Sequence, residues 1–594
     1  MSEIRTNCSI CSLACPLVLR DGRRSPIFTG ESILSLDWDD SEGSKYGGSL
    51  CARGAAIVEF VVHPDRVNYP TVLGERTSYA AALEEAAKSL TAIREEAGGD
   101  AIAVLLGENL TAEEAALARR FAEKALETEN IALIAPDDVP MFRAYLDCDL
   151  SSLSPAGGRP EGERRVYLMF GDPFSEHPCT AKDVLAGKNS GRGNEIIAVG
   201  PEKNHTAWFA GRHLACNPGG DTAVAAGLLK AAAAVTGSAL VPPLKKLVDA
   251  IEWKDIERIG GVSRDDIEEA AGSMLGAAHV ETYVSNLFGR FGDPTLTSVF
   301  AEALTRICPG ESRYEPQFVL QNTWGIYSSS GAGNPGKVLE KIGGGKIQAL
   351  VLLGLDLFSV YPASPIEKAL RDNKFTVATQ LFRGQTAERA NVVIPAAALV
   401  EKKGTVQPSF DEEIERADVI DPIGGTVSDE RFLLDLARKM GVDLEAGKAE
   451  SKASRSSCED FTADWAAYSE RMRALDNVDT VLIPWSEAVH VADGSLSRNF
   501  LWSRITCPEP YILLSKEYAD EAGISGGDLV AVSSDGGETV LEAKVTDKLT
   551  GRTVAAPVHF PAVRRLFPWN LDERHGEIRL GPVPVELSRQ SEKS

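Results

Sequence analysis

No stretch of the 594-residue chain supplies the about 20 consecutive apolar residues that a membrane-crossing helix needs, and the most apolar run, Ala223–Val235, is broken by Lys230. Direct membrane insertion is therefore not expected. Because Met1–Asn7 has no apolar signal core, the expected location is cytoplasmic. Basic residues are outnumbered: 62 Lys and Arg face 86 Asp and Glu, a net charge of −24. Phosphate backbones and anionic lipid surfaces need concentrated positive charge, so nucleic acid is excluded as a partner and the acidity is read as solubility. A strand-linked G-x-G-x-x-G turn is also missing, and with it the signature of a flavin or nicotinamide site. Ten cysteines are too few at this length for a disulfide scaffold. What remains is an ordinary globular composition, 43% hydrophobic and 25% charged, with room for about three to five domains.

Four of the ten cysteines crowd into the first 51 residues. Asn7-Cys8-Ser9-Ile10-Cys11-Ser12-Leu13-Ala14-Cys15-Pro16 has the spacing C-x2-C-x3-C, and Cys51 is separated from Cys15 by 35 residues. Thiolates on one tight loop can face a single centre, and a remote fourth can close the cage. Four thiolates suit tetrahedral zinc or an iron–sulfur cluster. Zinc sites usually pair two C-x2-C knuckles, and the second knuckle is missing, so a [4Fe–4S] cluster fits better, with zinc the alternative. Cys148, Cys179, Cys216, Cys308, Cys458 and Cys507 stand singly and are expected to be small buried hydrophobes.

Ala52, Arg53 and Gly54 follow Cys51, and His63-Pro64-Asp65-Arg66-Val67-Asn68-Tyr69-Pro70 comes soon after. Together with the cysteine loop, these residues resemble the molybdopterin oxidoreductase family, which includes formate dehydrogenases, nitrate reductases and formylmethanofuran dehydrogenases. The resemblance implies that Cys8, Cys11, Cys15 and Cys51 hold the cluster and that Arg53 lies between cluster and pterin and helps electrons pass. On its own, Arg53 also reads as a surface ion pair.

Periodicity gives a fold that agrees with this. Helical spacing over Tyr79–Glu96 and Glu113–Thr128 alternates with strand-like Ala101–Leu106, and further strands are expected at Val166–Phe170, Glu195–Val199, Ala349–Leu353 and Phe375–Gln380. Such alternation implies parallel sheets with crossover helices. Tyr511–Ser515, Leu529–Ser533, Glu538–Val545 and Thr553–Pro557 are short strands between Gly-rich turns, the pattern of a small barrel. The expected α/β architecture is an iron–sulfur domain (1–75), two Rossmann-like domains (76–140 with 345–480, and 141–344) and a C-terminal β-barrel (481–594).

Ligands of open α/β sheets bind beyond the strand ends. Gly171-Asp172-Pro173, continuing to Glu176-His177-Pro178, is similar to the family's G-x-N-P…H-P turn, with Asp172 for the usual Asn. Gly200-Pro201 ends the next strand. His213-Leu214 through Pro218-Gly219-Gly220-Asp221 is similar to the family's H-L-x-x-x-P-G-T-D motif, which implies that Asp221 accepts bonds from a guanine; capping the helix near Ala223 is an equally good use of it. A second half repeats the logic with Gly354 and Asp356, Gln380, Thr386, and Gly404-Thr405. The resemblance thus implies two pseudo-equivalent sites for molybdopterin guanine dinucleotide carrying Mo or W.

The likeness fails where catalysis is expected. Gln407–Asp411 replaces an E-G-R segment, and Arg565-Leu566-Phe567-Pro568 replaces a late Asn-x-Leu-Thr. Asn130–Pro140, where relatives carry the protein ligand to the metal, has no cysteine; Asp137 or Asp138 is the remaining candidate, with Asp138 preferred, against a reading as two solvated loop acids. Two functions stay open. One is a formate dehydrogenase-like redox enzyme with a small-molecule substrate such as formate. The other is a non-catalytic electron-transfer subunit lacking Mo and W. Since a single cluster carries electrons only a short way, either reading implies partner iron–sulfur or flavin subunits in a larger complex.

Overall fold

The computed structural model describes all residues except 1, 23–33, 41–45, 156, 157, 159, 334, 363, 418, 448–452, 573, 574, 576 and 591–594. At the N-terminus, Ser2–Asn7, Pro16–Asp21 and Leu34–Trp38 form an antiparallel sheet, and the cysteine loop is the hairpin between its first two strands. Cys8 N–H donates to the Cys15 carbonyl at 2.7 Å and closes that loop. Inside it Ala14 adopts φ 45°, a left-handed conformation disfavoured for a residue with a Cβ, and Asn7 Nδ2 bonds the Ala14 carbonyl at 2.8 Å.

The first α/β sheet takes strands from distant parts of the chain. Its order is Glu75–Arg76, Thr71–Val72, Val392–Pro395, Phe375–Gln380, Ala349–Leu353, Ile102–Leu106, Ile131–Leu133. Apart from the 71–76 hairpin it is parallel. Ile102–Leu106 and Ala349–Leu353 are unbroken apolar runs because both faces are covered by helices. The second sheet is wholly parallel, in the order Arg212–Ala215, Glu195–Gly200, Arg165–Phe170, His279–Val284, Glu311–Pro316.

Both sheets reverse strand order at a glycine. A Cβ on Gly107 would meet the Gly354 carbonyl oxygen at 2.2 Å, and one on Gly171 would meet that of Ser285 at 2.1 Å. Small residues are thus required where the two loops leave adjacent strand ends, which is the place at which such sheets bind ligands.

Most of the expected elements form within a residue or two of their limits. The expected Glu113–Thr128 helix is instead Ala112–Phe121 followed by a π-helical turn, Ala122–Leu126. The C-terminal part is a seven-stranded mixed sheet rather than a regular barrel. Its edge strands, Val583–Pro584 and Glu586–Arg589, are one residue apart in sequence, so the sheet curls until its edges meet.

Two of the single cysteines are not lone buried thiols. Cys148 and Cys458 form a disulfide across 310 residues of sequence. The 455–459 segment was already fastened there: Ser456 N–H donates to the Leu146 carbonyl (2.7 Å) and Glu459 N–H to that of Asp147 (2.9 Å).

Candidate cofactor site

The cysteine loop and the 51–55 turn come together. Cys51 precedes the short helix Ala52–Ala55, and its Sγ accepts from Gly54 N–H at 3.5 Å; a Cβ on Gly54 would lie 3.5 Å from Cys8 Sγ. The four thiols sit close enough to perturb one another: burial, reinforced by Cys11 and Cys51, pushes the Cys8 thiol well above its ordinary value, and burial pushes Cys11 up to about 11. A fifth thiol joins them. Cys179 lies within hydrogen-bond reach of both Cys15 and Cys51. Its helix, Pro178–Asn189, is tied to the approach to Cys51 by Lys182 Nζ, which donates to Ser49 Oγ at 2.9 Å and the Gly47 carbonyl at 3.1 Å. Among the described residues no group of three or more His, Cys, Asp or Glu is arranged to hold a metal ion. A cubane, with its corners farther apart than the ligands of one ion, asks for a wider cage.

Arg53 is not a surface residue: it is 2% exposed. Its guanidinium donates to the carbonyls of Ser175, Glu176 and His490. It therefore links the cysteine turn to the Gly171–His177 turn and to the C-terminal domain.

The first crevice is open. Two adjoining cavities share Glu108, Gly354, Leu355, Asp356 and Ser495. The larger is also lined by Gln380, Arg383, Gly384 and Arg498, the smaller by Asp137, Asp493 and Arg564. Gln380 Nε2 donates to the Leu355 carbonyl (2.6 Å), and Thr386 Oγ1 donates to Asp356 Oδ1 (2.5 Å) and accepts from Phe358 N–H (3.0 Å), so the sequence-derived residues Gly354, Asp356, Gln380 and Thr386 build one rim. Gly404 and Thr405 stand apart from both cavities, where Thr405 N–H and Oγ1 bond Glu113.

At the second crevice the protein's own side chains form a buried network, and a cavity lined by Gly292, Met472 and Pro582 borders its far end. Arg290, buried, pairs with Glu202 and with Glu176 (3.2 Å) and donates to Ser486 Oγ at 2.8 Å; Ser285 and Ser486 hydroxyls also donate to Glu176. Asp172 Oδ1 accepts from Thr206 N–H (3.0 Å) and Oγ1 (2.7 Å). Burial lowers His177 to about 3, so the ring is neutral, and its Nε2 bonds the Phe318 carbonyl at 2.8 Å. Gly171, Pro173 and Gly200 are buried in the turns around this network, with Pro201 half-buried. Asp221 does not cap its helix: the helix Asp221–Thr236 begins on it, after Gly220. Its Oδ1 accepts from Gly292 N–H at 3.1 Å, while Tyr468 Oη donates to the Gly219 carbonyl at 2.8 Å. Pro218 is half-buried beside this contact.

Comparison with known proteins agrees with the parallel α/β sheets and the curled C-terminal sheet. The family model described as Molybdopterin oxidoreductase matches residues 274–439, and that described as Molydopterin dinucleotide binding domain matches residues 481–581. The F420-dependent formate dehydrogenase 2 subunit alpha of Methanococcus maripaludis is 23% identical, over 98% of this chain and 99% of its own. The assimilatory nitrate reductase catalytic subunit of Bacillus subtilis is 25% identical, over 73% of this chain and 68% of its own. By these matches the chain is similar to the molybdopterin oxidoreductase family. The solved structure of acetylene hydratase from Pelobacter acetylenicus shares its fold, with a TM-score of 0.74 over 99% of this chain and 100% of that one at 15% identity.

The 130–140 segment, expected from sequence to supply a metal ligand, divides its two acids between different tasks. Asp138 turns into the core, where Oδ1 accepts from Val319 N–H at 2.8 Å and Oδ2 from Thr323 Oγ1 at 2.7 Å. Asp137 lines the smaller cavity, with one oxygen bonded by Phe288 N–H. Burial pushes Asp137 up to about 6 and Asp138 to about 8; desolvation, with Asp493 beside it, pushes Glu108 to about 8. Neither acid is the solvated loop residue expected from sequence, and Asp137, not Asp138, faces the open crevice. Sequence reasoning missed Cys179, Arg290, Tyr468, Glu108 and Arg498. Only Cys179 had a local signal, since it directly follows the His177-Pro178 of the turn motif.

Proposed function

We propose that the chain is an iron–sulfur subunit of a molybdopterin oxidoreductase, formate dehydrogenase-like, passing electrons between a pterin-bound Mo or W centre and partner iron–sulfur or flavin subunits. The cluster is a [4Fe–4S] centre on Cys8, Cys11, Cys15 and Cys51, and Asp137 is the acid of the 130–140 segment that faces the open crevice. The observation that carries the reading is Arg53: a buried cation with one end of its segment on Cys51 and its guanidinium on the backbone of the dinucleotide-type turn. When bound, the pterin metal would exchange electron pairs with a small substrate such as formate, and the cluster would move electrons singly. The protein's own part is to exclude water around the thiols, fix a positive charge beside them, and hold a proton on Glu108 at neutral pH.

A second reading is favoured by the absence of any thiol in Asn130–Pro140 and by the engagement of Asp138. In that reading the chain is a non-catalytic electron-transfer subunit without Mo or W. Anaerobic purification followed by elemental analysis and EPR separates the two. About four irons per chain with a reduced-cubane signal and stoichiometric Mo or W supports the first. The same iron without Mo or W supports the second, and zinc or no metal at the thiols defeats both.

A further inference from the structure

A cavity outside both crevices lies against the cysteine loop. It encloses about 600 Å³, a size usual for small-molecule sites. Ser12 and Leu13, between Cys11 and Cys15, line it, as do Tyr314 on the edge strand of the second sheet and Phe410. Phe410 stacks on Tyr145, which also lines the cavity, with ring centres 3.7 Å apart and planes 14° apart. Aromatic linings of this kind favour a flat ring as occupant.

The polar groups narrow the choice. Gln317 lines the cavity and is 2% exposed. Its Nε2 donates to Thr180 Oγ1 at 2.6 Å, while its Oε1 has no partner within the chain. Buried carbonyl oxygens are almost always paired, so this one asks for an N–H from a bound molecule. Both arginines that line the cavity are engaged, Arg306 with Glu302 at 2.8 Å and Arg313 with Glu315. Asp411 and Glu412 add exposed negative charge at the same place. The described residues thus suit an uncharged ring rather than a phosphate, and a ring without phosphate has no need of the glycine-rich turn that the sequence lacks. The cavity is tied to the thiols by two links. Ser12 N–H, in the cysteine loop, donates to the carbonyl of Phe318, the neighbour of Gln317, at 3.3 Å. Thr180, the partner of Gln317, follows Cys179, which lies beside Cys15 and Cys51.

We infer that this cavity binds an uncharged flavin-type ring, its ring N–H donated to Gln317 Oε1 and its flat faces held among Tyr314, Tyr145 and Phe410. Binding follows from the cavity alone. Its use rests on the iron–sulfur reading of the function: beside a reduced cluster, the ring would take up two electrons, one at a time, and two protons from water at the cavity mouth, leaving the cluster oxidised and the ring in its dihydro form.

The test is ultrafiltration of riboflavin against the full chain purified anaerobically, with iron content and EPR measured on the same sample. One riboflavin per chain is expected. Riboflavin methylated at its ring N–H should bind about tenfold more weakly, the loss of one hydrogen bond to a buried acceptor. Gln317→Leu should weaken riboflavin by a similar factor and no longer distinguish the two rings. Riboflavin phosphate should bind more weakly than riboflavin. No retention in a sample that shows the cubane signal would overturn the site and leave the proposed function standing. Retention in a sample without iron would support the site and overturn the proposed function. Equal binding of the two rings to the parent, or tighter binding of the phosphate, would overturn the assignment to Gln317 and an uncharged ring, and that comparison needs no variant to fold.

Discussion

Arg53 shows how much one side chain can be asked to do. Replacing it by Ala leaves three buried carbonyls, of Ser175, Glu176 and His490, without their donor. Each such loss costs about 1–3 kcal/mol, so Arg53→Ala should lower the melting temperature of the whole protein by several degrees even before electron transfer is measured. A calorimetric scan of the variant checks this, and an unchanged transition would mean the guanidinium is not knitting the three parts together. Cys179 makes a different prediction. Its thiol lies beside two of the four thiols proposed to hold the cluster, close enough to perturb them, and hydrogen bonds to ligand sulfur tune a cluster's potential. Cys179→Ala should keep the iron content and lower the cluster's midpoint potential in an EPR-monitored titration. Loss of iron instead would make Cys179 a ligand. The four clustered cysteines were legible because thiol spacing is local. Cys179 was marked only by its place after His177-Pro178, because it is the docking of its helix on the Cys51 turn that brings it there.

At the scale of elements, the strands were legible and their partners were not. Runs such as Ala349–Leu353 announce a doubly covered strand, but nothing in them says that the neighbours are Ile102–Leu106 and Phe375–Gln380. The helix Thr462–Leu475 illustrates the same limit. It follows the strands of the first sheet along the chain, yet Tyr468 and Met472 reach the Gly219 turn of the second sheet. A long-range lock holds the first unit: Lys402 Nζ pairs with Asp429 at 2.5 Å and Glu114 at 3.0 Å, all three nearly inaccessible to water. Lys402→Met removes the only cation of that set and leaves two buried carboxylates facing each other. A loss of about 3–5 kcal/mol is expected, read as a lower urea midpoint with unchanged slope. The Cys148–Cys458 disulfide makes a milder case. It closes a 310-residue loop, but the hydrogen bonds around Ser456 and Glu459 hold the same segment, so Cys458→Ser should cost about 2–4 kcal/mol and leave the fold intact.

The molecule as a whole carries an excess of buried acids, and their titration reports on the second crevice. Burial pushes both Asp221 and Glu176 up to about 7, whereas in an unfolded chain each titrates near its ordinary value of about 4. Between those limits the folded protein keeps protons that the unfolded chain has released. Stability therefore falls as pH rises from about 4 to 7, is fully retained below that window, and loses nothing further from these groups above it. Other groups titrate in the same range, so the informative quantity is a difference. Asp221→Asn keeps the acceptor for Gly292 N–H and removes the titration, and its melting temperature should depend less steeply on pH between 5 and 7 than that of the parent. If a guanine occupied this loop, its N–H groups would hold Asp221 ionised and pull its titration down, and the two slopes would coincide. The same comparison in protein with its cofactors kept and with them stripped locates the effect: parallel slopes in the loaded protein and diverging slopes in the stripped one would show that a ligand reaches Asp221, whose Oδ2 has no partner within the chain.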